Sequence, residues 1–335
     1  MITKLIRNDI RKSRVISSAI LAFILVAAML TSLAAALIVN MFGAIDNMLA
    51  EAKTPHYMQM HTGGIDTAQI KRFADSRENV EAWQIREFVN IDGADIIIEG
   101  ETLAWSVQDN GFSTQSKDFD FILGLDGKII HPADGEIYIP IYYMTEGGVK
   151  AGDTVRIGEA GFTVAGFTRD SLMNAPLVSS KRFLVSENDF EKIKSAGVME
   201  YLIEFRFKDS SMPPGFEAEY LTEGLPTNGP PAILYSQVRI MNALADGIMI
   251  AVLVLISLLV IAVTFLCIRF TLLAKVEEDY REIGVLKAVG LRVKEIKKLY
   301  MVKYGMLGGI AAAAGYLISL LIREPFMENI RLYMG

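Results

Sequence analysis

Cysteine occurs once in the 335 residues, at Cys267, and histidine three times, at His56, His61 and His131. A single thiol rules out an internal disulfide framework, so any domain outside the cytoplasm must be held by its own core. The histidines have no H-E-x-x-H spacing and no cysteine cluster beside them. They read as ordinary surface groups, and no metal site is expected. The G-x-x-x-x-G-K-[ST] loop that cradles phosphates is also missing, so the chain has no ATPase of its own. Gly147-Gly148-Val149-Lys150 reads as a hairpin turn instead. No serine carries a nucleophile-elbow signature. Asp118 and Asp120, two residues apart on an acidic face, read as solvated rather than as a catalytic pair. The chain is expected to be a non-catalytic subunit, with no catalytic residue and no cofactor of its own.

Charge is absent in a pattern. Three runs hold no Asp, Glu, Lys or Arg: 15–45 (31 residues), 247–268 (22 residues) and 304–322 (19 residues). At 1.5 Å rise per residue, ~20 helical residues cross a bilayer core of about 30 Å. Each run is therefore expected to be a transmembrane helix, and a soluble protein with three buried helices is disfavoured. The first run far exceeds the apolar core of a cleaved signal peptide, about 7–15 residues, so it reads as an uncleaved span. No ionisable residue lies within the three runs, which argues against an ion-coupled transporter.

The charges that are present orient the chain. Residues 1–14 carry Lys4, Arg7, Arg11, Lys12 and Arg14 against Asp9 alone. Residues 269–303 have a net charge of +4, whereas 46–246 have a net charge of −14. Excess Lys and Arg mark cytoplasmic flanks. The N-terminus and 269–303 are therefore expected in the cytoplasm, and 46–246 and the tail 323–335 outside it. Ile2, Leu5, Ile6 and Ile10 make 1–14 a short amphipathic helix on the inner leaflet, in contact with membrane lipids.

The expected fold is an α-helical membrane protein with three transmembrane helices and a large extracytoplasmic mixed α/β domain containing a β-rich insert. The first helix is expected to continue past the membrane until Lys53, Thr54 and Pro55 end it. In the domain, Tyr57–Met60, Val80–Ile91, Ala94–Ile98, Met199–Lys208 and Ala232–Tyr235 read as strands. Helices are expected behind Asp66 and Ser186, both good N-caps, and near Phe216–Leu221. The insert covers roughly 103–183. It includes a turn at Asp126–Gly127, an edge strand Glu136–Tyr143 containing Pro140, and a barrel-like strand pair over Val149–Phe167.

Residues 277–318 carry the most specific pattern. Arg281, Glu282, Ile283, Gly284, Val285, Leu286, Lys287, Ala288, Val289 and Gly290 form an R-E-I-G-V-L-K-A-x-G core behind a charged helix, followed by a second helix and a glycine-rich span. This resembles the FtsX/MacB-like permeases of ABC transporters, and the order of spans and outer domain is similar as well. The resemblance implies a permease subunit of the bacterial cell membrane that works with a separate ABC ATPase, which would hold the ATP and Mg. It also implies that 269–303 is a coupling surface. On the residues, Glu277, Glu278, Tyr280, Arg281, Glu282, Ile283, Gly284, Leu286, Lys287, Gly290 and Arg292 give a mixed-charge helical face with an apolar stripe, suited to a polar-rimmed groove on a partner. Gly308, Ala312 and Gly315 place small residues about one turn apart in the third span, where a neighbouring helix can approach closely.

The family's four-span form has a last span that this chain, ending at Gly335, does not contain. The expectation is an N-terminal portion of a longer permease, completed by its own C-terminal half or by a second permease copy. An extracytoplasmic peptide or lipid ligand fits the outer domain, and no nucleic acid is expected. The alternative reading is a membrane-anchored regulator whose outer domain senses a ligand or recruits a cell-wall enzyme without transport.

Overall fold

The computed structural model describes residues 14–335 apart from 210, 289 and 291. The amphipathic helix expected over 1–14 lies outside the described residues except for Arg14. The rest divides into two compact units: residues up to 40 with 246–329, and residues 41–245 with 330–335.

The first unit is helical. It contains the N-terminal part of α1 (Arg14–Glu51) and most of a later helix of 44 residues, which runs Tyr235–Glu278. Among the described residues, three helical segments are long and apolar enough to cross a membrane: Ser18–Glu51, Tyr235–Glu278 and Tyr304–Ile322.

The second unit is built on one sheet. Its elements in chain order are β1 (Tyr57–Thr62), α2 (Thr67–Asp75), β2 (Val80–Ile91), β3 (Ile96–Ile98), β4 (Glu101–Thr102), β5 (Asp109–Ser113), β6 (Leu123–Gly124) and β7 (Glu136–Pro140). There follow α3 (Ile141–Thr145), β8 (Thr154–Ile157), β9 (Ala160–Arg169), β10 (Ser180–Val185), α4 (Glu187–Ile193), β11 (Val198–Phe207), α5 (Phe216–Thr222) and β12 (Ile233–Leu234). The spatial order is β12-β1-β11-β2-β5-β10-β7-β9-β8-β3-β4, with β6 on β9. Only the β5–β10 and β7–β9 pairs are parallel. The sheet thus joins the outer α/β strands to the β-rich insert.

Local chemistry explains the helices. Asp66 accepts from the Ala68 and Gln69 N–H groups and starts α2, whose Ile70 and Phe73 turn inward. Ser186 accepts from the Asp189 N–H and starts α4, which buries Phe190 and Ile193. One core gathers Tyr57, Phe73, Phe205, Phe216 and Tyr220 around α2 and α5. A second gathers Val89, Phe112, Ile139, Phe167, Phe183 and Phe190 in the insert. In β11 Leu202–Phe205 are all buried, without alternation, because both faces of that strand are covered.

Several expectations change. Glu136–Tyr143 is not one edge strand: β7 lies between β10 and β9, and Pro140 ends it before the helical turn of α3. A proline in the last strand position removes no interior ladder donor. Asp120 is not solvated but wholly buried, and so are His56 and His61. The tail is helical: α9 spans Glu324–Met334. Pro325 and Glu324 favour its start, Arg331 its end, and Met327, Ile330, Tyr333 and Met334 form a buried stripe.

His56 gives the sheet unit an acid limb. Its Nδ1 accepts the Phe207 N–H at 2.8 Å, so the ring is held neutral. Burial first, then the nearby Arg206, lowers its pKa to about 4. Between the unfolded value of ~6.5 and that figure the unfolded chain binds the extra proton, so stability falls as pH drops through this window. About 2 kcal/mol is expected to be lost between pH 7 and 4.5. His56→Asn is expected to flatten that limb relative to wild type. Urea unfolding followed by the fluorescence of Trp83 and Trp105, both in the sheet unit, measures the difference.

Candidate functional site

The stretch 269–303 is not a separate loop. The 44-residue helix α6 (Tyr235–Glu278) carries straight into it, and α8 (Val293–Ile322) carries straight out of it. Between them lie Asp279 and the short α7 (Tyr280–Ala288). Charge marks where the apolar run stops, not where the helix does. The reversal after α7 uses Gly290, whose φ of +97° is one that L side chains rarely adopt. The Gly290 N–H donates to Lys287 O, closing the end of α7. Glu295 accepts the Arg292 N–H at 3.0 Å, fixing the first turn of α8.

Glu277, Glu278, Arg281, Gly284, Lys287, Gly290 and Arg292 are exposed, and Ile283 is half-buried. Of the coupling residues read from the sequence, Glu282 and Leu286 are described for backbone only. Tyr280 is 78% exposed and Val285 64% exposed, with Val276 and Val293 also open. Charged and apolar side chains therefore share one exposed segment, as a docking face requires. Val276 and Val293 were not singled out by charge or motif. Their exposure is legible only in the structure.

The small residues of the third span fall in two classes. At Gly315 an added Cβ would lie 2.4 Å from Leu25 O and 3.0 Å from the Ala28 Cβ, so α8 meets the backbone of α1 there. At Gly308 the nearest atom is Ile24 Cδ1 at 3.6 Å, an ordinary contact, and Ala312 is half-buried. Ser319 Oγ donates to Ser32 Oγ at 2.9 Å along the same pair of helices. Thr31 Oγ1 lies 2.7 Å from Ser257 Oγ, and Thr264 Oγ1 donates to Phe23 O, tying α1 to α6. Helix association in lipid relies on such close packing and polar contacts.

The sheet unit contains one buried polar cluster, flanked in the chain by residues that bond to three helix ends. Arg182 donates to both oxygens of Asp120 (2.6 and 3.2 Å) and to both oxygens of Asp170 (2.6 and 2.8 Å). Arg86 adds a contact to Asp120 and donates to Thr114 O. Burial pushes the Asp170 carboxyl up, and the Arg182 guanidinium more than reverses it, leaving the group below its ordinary range. Glu204, buried beside the same cluster, is driven well above the ordinary carboxylate range by desolvation and by Asp120.

The Asp120 and Phe121 N–H groups donate to Lys53 and Ala52 O, just past the end of α1. Ser171 O accepts from Asn242 in the first turns of α6. Arg169 donates to Arg331 and Leu332 O, and Asn174 donates to Tyr333 O, at the end of α9. No group of three or more His, Cys, Asp and Glu arranged for a metal occurs among the described residues.

Residues 254–335, from within α6 to the end of α9, match the family model of the FtsX-like permease C-terminal domain. No curated protein matches the chain significantly. Among solved structures, the periplasmic region of MacB from Actinobacillus actinomycetemcomitans aligns with 57% of this chain and 94% of its own, at 8% identity and a TM-score of 0.30. Residues 254–335 are thus similar over their whole length to an FtsX-like permease C-terminal domain.

Proposed function

We propose that the chain is the membrane subunit that couples ATP hydrolysis on a separate ABC ATPase to export or to mechanical transmission across a bacterial cell membrane. The observation that carries this reading is the exposed segment Glu277–Arg292 held between two unbroken helices, α6 and α8. Both contain an uncharged run long enough to cross a bilayer. A force applied at that segment acts directly on two spans rather than on a slack loop. The charge bias puts the segment on the cytoplasmic side and 46–246 outside. ATP and Mg belong to the partner, and this chain contributes the docking face.

Asp120 and the stretch Arg169–Asn174 around Asp170 bond to the chain just past α1 and to α6 and α9, which favours mechanical transmission as the mode. The test is a double charge reversal, Glu278→Lys with Arg281→Glu, in the full chain. Co-purification of the ATPase and its stimulated hydrolysis are expected to fall at least tenfold. Undiminished binding and stimulation overturn the coupling role. If both collapse yet no substrate moves in vesicles holding the intact complex, the outer domain works by transmitting motion or recruiting a partner rather than by transport.

A further inference from the structure

One flank of β2 is unpaired along most of its length. On the β11 side β2 is paired from Val80 to Asn90, but on the β5 side only Val89–Ile91 have partners. Beyond Ser113 the chain leaves β2 instead of zipping onto it. Side chains, not backbone groups, span the gap. Arg86 donates to Thr114 O, Ser116 Oγ donates to Gln84 Oε1 at 3.0 Å, and Gln84 Nε2 donates to Phe119 O at 3.1 Å. Gln115 in turn bonds Ile122 and Ile130, which fixes the far wall. The result is an open wedge of about 550 Å³ between Gln84–Glu87 and Thr114–Asp118, flanked by α4.

An open strand edge inside a preformed slot is a template for another strand. Gln84–Phe88 offer about 16 Å of backbone at ~3.3 Å per residue, with alternate N–H and C=O groups turned to the wedge. The rim selects the occupant by charge. Glu87, Asp118, Glu187 and Glu191 are exposed around the wedge against two cations, Lys117, which lines it 3.8 Å from Glu187, and Lys194, which pairs with Glu191, so the rim keeps an acidic excess. Arg86 is buried and committed to Asp120 and Thr114. Two copies of the chain would bring acidic rims together, which disfavours self-association through this edge.

We propose that the wedge is a strand-addition site for a short extended segment of a basic polypeptide. Four or five residues would pair with Gln84–Phe88, and Lys or Arg side chains would meet Glu87, Glu187 and Glu191. The site lies wholly in the sheet unit and does not depend on ATPase coupling.

The experiment uses the full chain in phosphatidylcholine nanodiscs, without nucleotide, and a fluorescein-labelled Lys-Val-Lys-Val-Lys peptide. Binding is read by anisotropy. Three results are expected: the basic peptide binds, the Glu-Val-Glu-Val-Glu peptide does not, and methylation of alternate backbone amides weakens binding at least tenfold. Glu187→Lys with Glu191→Lys, both at exposed positions, is expected to weaken it at least tenfold as well. Equal binding of the methylated peptide overturns strand addition in favour of diffuse attraction to an acidic domain. Unchanged affinity of the charge-reversed chain, or no binding of the basic peptide up to millimolar concentration, overturns the site.

Discussion

Arg182→Met is expected to destabilise the sheet unit by about 3–5 kcal/mol, the loss usual when one partner of a buried ion pair is removed. Arg182 is wholly buried and its guanidinium is shared by two buried carboxylates. Removing it takes from Asp170 the guanidinium it is paired with and leaves Asp120 with the 3.3 Å contact to Arg86. Arg182→Lys is expected to rescue little, because one ammonium cannot make two bidentate contacts. The variant also acquires a pH signature. The Asp170 carboxyl, no longer held down by Arg182, takes up a proton more readily than in wild type, so the deficit shrinks as pH falls toward 4. Denaturant unfolding monitored through Trp83 and Trp105 at pH 7.5 and 4.5 tests both statements. A loss below 1 kcal/mol at pH 7.5 would mean that the cluster is not a structural centre. The consequences reach further than stability, since Asp120 and the segment Arg169–Asn174 also bond to the ends of α1, α6 and α9.

How much of this was legible in the sequence depends on how local each signal is. The three long apolar helices follow from unbroken uncharged runs, and the permease resemblance from ten contiguous residues, Arg281–Gly290. The caps at Asp66 and Ser186 are equally local, and the structure places both as expected. Asp120 could not be placed this way. Its partners Arg86 and Arg182 lie 34 and 62 residues away, and nothing near Asp120 in the chain announces burial. His56 and His61 were misread for the same reason: strand pairing with β11, far along the chain, buries them. Helices on both sides of Gly290 were expected, but that α6 runs unbroken from Tyr235 to Glu278 and α8 from Val293 to Ile322 was not legible, because charge reports where a bilayer would end, whereas helix ends are set by caps and glycine. The wedge beside β2 needs the register of three strands and has no sequence signature.

Gly315→Leu is expected to separate α8 from α1. The atom facing an added Cβ at 2.4 Å is Leu25 O, a backbone atom of a helix, which cannot swing aside as a side-chain tip can. Relief requires movement of a whole helix, and overpacking of this kind typically costs about 1–3 kcal/mol. In lipid, where apolar exposure drives helix association little, such a loss removes much of what holds two spans together. Gly309 supplies the control, for it lies one turn from Gly305 in the same helix and nothing stands within 4 Å of its would-be Cβ. Gly309→Ala should gain helix propensity, up to ~1 kcal/mol, without a clash. The hydroxyls of Ser32 and Ser319, 2.9 Å apart, provide the readout. In a Cys267→Ala background, Ser32→Cys with Ser319→Cys is expected to form a disulfide efficiently, and Gly309→Ala to leave the yield unchanged. Gly315→Leu is expected to reduce it at least fivefold, with Gly315→Ala between the two. Equal crosslinking in all four chains would show that α1 and α8 do not meet at Gly315, and the small residues of the third span would then have no packing role.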